Sequence, residues 1–238
     1  MQVVAYGAGT NSTAMLVGLH ERGEKVDLIL FADTGGERPE TYRHVQVVSE
    51  WCKSVGFPEI IVVRSETKSL EQDCLDRRHL PSLAYGFKTC SLRFKKEPQD
   101  KYIRHNVKCE YTRLIGIDAG ESQRAKEFEG TRYPLIEWDW CRDECVAAID
   151  RAGLPQPGKS ACFFCPSSKP KEILELQRKH PDLLARALEM EANAFDNLTS
   201  VKGLGRNWSW TEFIRFNDAQ GDLFKCYIDE PCGCYDGE

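Results

Sequence analysis

The sequence has no long apolar run. Its most hydrophobic stretches, VDLILFA at 26–32 and EIIVV at 59–63, are strand-sized. A bilayer span needs about 20 apolar residues, so no membrane segment is expected. There is no excess of basic charge either. Lys and Arg total 32 against 37 Asp and Glu, a formal net charge of -5. A nucleic-acid partner would therefore need a local basic patch. The first residues, MQVVAYGAGT, carry no basic segment ahead of their apolar positions, and no secretion signal is expected. No Walker A sequence occurs, which leaves a kinase-type P-loop unsupported. The five histidines show neither H-x-x-x-H nor H-x-E spacing, so no chemistry is assigned to them. Internal repeats, low-complexity linkers and charge blocks are also lacking.

Cysteine is the exception, with eleven in 238 residues. A secreted disulfide scaffold would be shorter and exported. The expectation is a reducing, cytoplasmic setting, with some cysteines acting as metal ligands or nucleophiles. The hydrophobic share of 41% and charged share of 29% are those of a globular chain.

The apolar pattern alternates short strands with helices. Gln2 to Tyr6 reads as a strand, about 12–22 as a helix, and Val26 to Ala32 as a strand apolar on both faces. A helix over about 40–55 and a strand at 60–63 follow. This is the order of an open parallel α/β sheet. Further on, 70–78 reads as helix and 81–90 as a loop. A helix at 97–105, a strand at 111–117, an extended segment at 134–138 and a helix at 142–152 follow. Proline starts the stretches 170–179 and 181–198, as suits a first helical turn. A short helix is expected at 210–217. The division expected is an α/β domain over 1–166 and a helical C-terminal part over 167–238, ending in a cysteine-containing tail.

Loop 7–12, GAGTNS, lies between the first strand and the first helix. Small residues there let backbone N–H groups close on an anion, and the helix dipole favours it. Three readings stay open at this level: a tight turn with no ligand, a dinucleotide loop with Asp33 about twenty residues on, or another phosphate loop.

Several segments in order carry a resemblance. YGAGTNSTAML resembles the SGGxDS-type PP-loop of the adenine nucleotide α-hydrolase superfamily, with Gly7, Ala8, Gly9, Thr10, Asn11 and Ser12 on its six positions. FADTGGERPETY at 31–42, GIDAGESQRA at 116–125 and PLIEW at 134–138 resemble segments of the phosphoadenosine phosphosulfate (PAPS) reductase branch. KTCSLRFKKEP at 88–98 and CFFC at 162–165 resemble the cysteine segments of its iron–sulfur members. The resemblance implies a PP-loop α/β fold that holds an adenine nucleotide, either ATP or PAPS and adenosine phosphosulfate (APS). Loop 7–12 would hold phosphates and Asp33, Thr34 and Gly35 the adenosine side, with Glu121, Ser122 and Arg124 completing the site. Three positions depart from the pattern: Gly7 replaces a serine, Asn11 an aspartate, and Asp118 an arginine.

The same resemblance implies metal ligands at Cys90, Cys162 and Cys165, for a 4Fe–4S cluster or for zinc. The pattern's first cysteine pair is Thr89-Cys90 here, so a fourth ligand would come from Cys141, Cys145, Cys232 or Cys234, or one iron would stay open. From spacing alone, the C-x-x-C is a metal site or a redox pair. Cys52, Cys74 and Cys109 read as small buried hydrophobes. Arg93, Lys95 and Lys96 would make a cationic loop. RNWSWTEF at 206–213 either stacks bases or docks its tryptophans on the core.

Sulfonucleotide reductases are similar to this chain in having a C-terminal Cys-Gly. Cys232 would then be the nucleophile, with a thioredoxin-like reductant as partner. The alternatives are an ATP-dependent adenylating sulfur-transfer enzyme, with nucleic acid as one acceptor, and a non-catalytic zinc-stabilised nucleotide-binding module. A homodimer is one open assembly state.

Overall fold

The computed structural model describes residues 1–126 and 128–220. In chain order the elements are β1 (Gln2–Tyr6), α1 (Thr10–Glu21), β2 (Leu28–Asp33), α2 (Pro39–Ser54), β3 (Ile60–Arg64) and α3 (Leu70–Arg77). A 3-10 turn (Ser82–Tyr85), α4 (Thr89–Ser91), a π-helical turn (Leu92–Lys96), α5 (Glu97–Asn106) and β4 (Thr112–Ile115) come next. A 3-10 segment (Ala119–Arg124), β5 (Thr131–Arg132), α6 (Pro134–Glu137) and α7 (Arg142–Arg151) follow. The described C-terminal part is helical: α8 (Pro170–Lys179), α9 (Pro181–Ala194), a 3-10 turn (Phe195–Asn197) and α10 (Trp210–Gln220).

Two expectations are corrected. The segment 134–138 is not extended. Pro134 sets a helical φ at a first position, and the N–H groups of Ile136 and Glu137 turn back to the Tyr133 carbonyl. The stretch expected as a loop at 81–90 contains the 3-10 turn and the start of α4. There the Ser91 and Leu92 N–H groups both reach the Lys88 carbonyl.

The chain forms two compact units whose segments interleave. One comprises Met1–Asp33, Glu37–Arg64 and Lys95–Ser160. The other comprises Thr34–Gly36, Ser65–Phe94 and the described residues from Ala161 on.

The first unit holds a five-stranded sheet in the order β3-β2-β1-β4-β5, with every pairing parallel. Period-two alternation sends side chains to both faces. Val4, Tyr6, Ile29 and Phe31 pack with Met15 and Leu16 of α1, Val48 of α2 and Ile149 of α7. Val3, Leu28, Leu30 and Ala32 pack with Ile103 of α5. Covering both faces explains why β2 is apolar at almost every position. The strand order reverses between β1 and β4. In open α/β sheets that reversal leaves a crevice beyond the strands' C-terminal ends, where ligands bind.

In the second unit Leu70 and Cys74 of α3 pack with Ile173 and Leu176 of α8, Ala187 and Met190 of α9, and Trp210 and Ile214 of α10. Each fully buried aliphatic side chain of this kind contributes about 1.5–3 kcal/mol. No helix among the described residues is long and apolar enough to cross a membrane.

Candidate nucleotide and cysteine sites

The crevice of the sheet unit is built from two loops, one after β1 and one after β4. Ala8 takes a left-handed φ of 57° while buried, a conformation that costs an L-residue about 1–2 kcal/mol. Such strain is found where a backbone must be held for a ligand. Gly9 caps α1, and Ser12 closes the turn. Its Oγ accepts the Gly9 N–H at 3.3 Å and donates to the Gly9 carbonyl at 3.1 Å. The first N–H groups of α1 have no intrahelical acceptor, as at any helix start. A helix start of this kind favours an anion.

The loop after β4 fits closely against this turn. A Cβ on Gly116 would lie 2.9 Å from both the N and Cα of Ser12. Only glycine allows that approach of backbone to backbone. Two residues on, Asp118 is buried. Its Oδ2 accepts Asn11 Nδ2 at 2.9 Å, and its Oδ1 accepts the Glu121 N–H at 3.0 Å, capping the 3-10 segment. Arg124 pairs with Glu121 at 2.5 Å, both side chains being largely exposed. Exposed pairs of this kind are worth little. Ser122 is exposed.

One contact at this loop was not legible. Ser160 Oγ donates to the Gly7 carbonyl, which brings the segment Gly158-Lys159-Ser160 to loop 7–12. The small-cation-small pattern of GKS was the available signal.

Asp33 ends β2 and is buried. Tyr42 Oη donates to its Oδ1 at 2.8 Å and Arg64 Nε to its Oδ2 at 2.8 Å. Burial, and next the hydrogen bond to Asp33, raise the Tyr42 phenol. Tyr6, Thr13 and His44 form a buried chain, with the Thr13 hydroxyl 3.1 Å from Tyr6 Oη and 3.0 Å from His44 Nε2. Burial lowers the His44 pKa.

Thr34 and Gly35 belong to the second unit, with Cys90, Cys162 and Cys165. Thr34 Oγ1 lies 3.1 Å from Cys162 Sγ. The Phe163 N–H donates to the Gly36 carbonyl at 2.8 Å. A Cβ on Gly36 would meet the Phe164 ring at 2.6 Å. Gly35 turns at φ +77°, where a Cβ would lie 2.6 Å from Ser69 Cβ. The GG of DTGG is thus required by packing on the C-x-x-C turn and on Ser69. Cys90 is half-buried, its N–H on Ser82 Oγ at 2.8 Å.

The expected cationic loop is not a free patch. Arg93 pairs with Asp73 at 3.3 Å, Lys95 with buried Glu37 at 3.2 Å, and Lys96 with Asp100 at 2.5 Å. Among the described residues, no group of three or more His, Cys, Asp or Glu is arranged to hold a metal ion. Cys90 and Cys165 pack on the same core cluster that contains Cys162. Of the fourth ligands considered, Cys145 is buried in α7 and Cys141 is exposed. Cys232 and Cys234 lie outside the described residues. Burial pushes the thiols of Cys52, Cys74 and Cys145 up to about 12. Cys109 was expected to be buried and is exposed, because it lies in the connection before β4 rather than inside it. Trp210 is fully buried and Trp208, packed against the same core, meets Phe213 edge to face at 5.4 Å, so the tryptophans dock on the core.

The fold and this crevice define an open parallel α/β domain with a phosphate-loop-like turn at its switch point. The chain is similar to the phosphoadenylyl-sulfate (PAPS) reductase from Candida auris, solved as a phosphate complex. Identity is 21% over 66% of this chain and 73% of that one, with a TM-score of 0.44. It is also similar to the U34-tRNA thiolase NcsA from Methanococcus maripaludis, solved with its 4Fe–4S cluster. Identity there is 14% over 83% of this chain and 73% of that one, with a TM-score of 0.48. No protein-family model and no curated protein sequence matches the chain.

Proposed function

We propose that this chain is an adenine-nucleotide-binding enzyme of the PAPS reductase-like kind that reduces a sulfonucleotide, APS or PAPS, by thiol chemistry. The observation that carries the nucleotide part is the fit of Gly116 against Ser12. It aligns the start of α1 with the loop after β4 at the point where strand order reverses. The N–H groups of 10–12 then bind phosphate, the Ser12 hydroxyl turns to it from the Gly9 carbonyl, and Arg124 leaves Glu121 to supply the cation. Asp33 supplies an acceptor at the end of β2, where a ribose hydroxyl is met in related sheet topologies.

In the reaction, the Cys232 thiolate attacks the sulfur of the sulfonucleotide. A sulfur–sulfur bond forms, the sulfur–oxygen bond to the phosphate breaks, and the nucleotide leaves with the electron pair. A thiolate of a thioredoxin-like dithiol then attacks the Cys232 sulfur. Sulfite leaves with that electron pair, and the second thiol of the reductant closes a disulfide and returns Cys232 to its thiol. The test is sulfite release from APS and PAPS with a dithiol reductant. Loss of release in Cys232→Ser supports this reading, and full activity in that variant overturns it.

A second reading draws on Asp118. A carboxylate held beside the phosphate loop opposes a bare sulfonucleotide but suits ATP carrying a divalent cation. On that reading the enzyme adenylates an acceptor, nucleic acid included, and transfers sulfur to it. Pyrophosphate release from ATP without sulfite release from APS or PAPS would select it.

A further inference from the structure

Ser160 and Gly7 lie 153 residues apart and meet through one hydrogen bond, from Ser160 Oγ to the Gly7 carbonyl. Both belong to the sheet unit. The Ser160 side chain also stands against the other glycine of the loop. A Cβ on Gly9 would lie 3.7 Å from Ser160 Cβ, an ordinary contact. Gly7 is the position at which the PP-loop pattern carries serine. A hydroxyl reaches that same residue here, but from another segment.

That bond fixes the orientation of a peptide. A trans peptide holds its C=O and the following N–H on opposite sides, so the Ala8 N–H points away from the Ser160 hydroxyl. Turning the peptide over rotates the ψ of Gly7 and the φ of Ala8 by about half a turn each. Glycine accepts either ψ. Ala8 does not weigh the two states alike. Its φ of 57° is left-handed, a conformation disfavoured about tenfold for an L-residue. The turned peptide would carry Ala8 to negative φ, where L-residues ordinarily lie. Ala8 therefore pulls the peptide toward the turned state, and the Ser160 hydroxyl opposes it. One ordinary hydrogen bond is worth about fivefold, the same order as the bias it offsets.

We propose that Ser160 is a positioning residue for loop 7–12: its hydroxyl keeps the Gly7 carbonyl turned out of the phosphate site and leaves the Ala8 N–H, with those of 10–12, for the phosphate. The inference rests on the reading of this loop as the nucleotide site. Without the hydroxyl the peptide turns over and sets a carbonyl oxygen where the N–H stood. A phosphate then meets an acceptor in place of a donor. Only the fraction of chains that still hold the peptide binds it, and the apparent affinity falls by that fraction. Ser160 thus acts through the loop backbone, at a distance of 153 residues in sequence.

The test titrates the full chain calorimetrically with APS, PAPS, ATP and inorganic pyrophosphate, with urea unfolding to show that each variant is folded. Ser160→Ala should weaken whichever of these binds the parent by about tenfold. Ser160→Thr, which keeps the hydroxyl, should stay near the parent. Ala8→Gly removes the left-handed penalty, so adding it to Ser160→Ala should restore affinity to within about threefold of the parent. A merely structural contact would show no such coupling. The proposal is overturned if the parent binds a ligand and folded Ser160→Ala binds it equally well. It is also overturned if Ser160→Thr is as weak as Ser160→Ala, or if the effects of Ser160→Ala and Ala8→Gly simply add. A parent that binds none of these ligands overturns the nucleotide reading, and this inference with it.

Discussion

Asn11 Nδ2 donates to Asp118 Oδ2 at 2.9 Å. These are two of the positions at which the chain departs from the PP-loop and PAPS reductase pattern it resembles. Read separately, each departure weakens the site, because an acidic group is lost from one loop and a cation from the other. In the structure they bond to each other. An amide faces a carboxylate across the two loops, and the remaining carboxylate oxygen caps the next turn through the Glu121 N–H.

That pairing predicts the behaviour of Asn11→Asp. Two carboxylates would then share one hydrogen-bond distance, and one of them must take a proton. The folded-state pKa of the pair rises above the unfolded value. The variant should therefore be less stable than the parent by about 1–3 kcal/mol at pH 7 and recover most of this near pH 4. Urea unfolding at the two pH values checks it, and an equal loss at both would contradict the pairing.

Gly116→Ala tests the close approach of the two loops. The added Cβ meets backbone atoms of Ser12 at 2.9 Å, which cannot swing aside as a side chain would. Stability should fall by about 1–3 kcal/mol, and nucleotide-dependent stabilisation should fall with it. Unchanged nucleotide binding would remove the phosphate role of the loop.

Glu191 clamps the C-terminal helices. This buried carboxylate accepts the N–H groups of Leu204 at 2.7 Å, Trp210 at 2.9 Å and Thr211 at 2.9 Å, and the Thr211 hydroxyl at 2.8 Å. Glu191→Gln turns donors toward donors, and hydrogen bonds to a charged acceptor are worth about 1.5–3 kcal/mol. A loss of about 3 kcal/mol in thermal or denaturant unfolding is expected.

His44 gives the stability a pH dependence. Burial lowers its pKa, so the unfolded chain takes up the proton first. The stability His44 supports is complete above its unfolded pKa of about 6.5. It is lost as pH falls through the folded value. His44→Gln should be weaker at pH 7, with a flatter profile between pH 7 and 5 by unfolding titration.

The sheet was legible because its signals are local. Continuous apolar residues at 3–6 and 28–32 report buried strands, and Pro170 and Pro181 mark helix starts. The glycine loop was legible for the same reason. What escaped depends on partners far apart in sequence. Nothing local to Asn11 points to Asp118, and nothing in DTGG shows that Thr34 meets Cys162, 128 residues away. Glu191 reads as an ordinary surface charge on a helix until three backbone N–H groups converge on it. The cationic loop is neutralised by Asp73 and Glu37 from other segments and by Asp100, one helical turn beyond Lys96.

The central claim is an adenine nucleotide held by loop 7–12. Its most direct test is a thermal-shift panel of the full chain, prepared anaerobically, with APS, PAPS, ATP and NAD, beside Gly116→Ala. A ligand at a hundred times its Kd adds about 2.7 kcal/mol. The account predicts selective stabilisation by APS or PAPS that is lost in Gly116→Ala. No shift with any of these, or a shift with NAD alone, would contradict it.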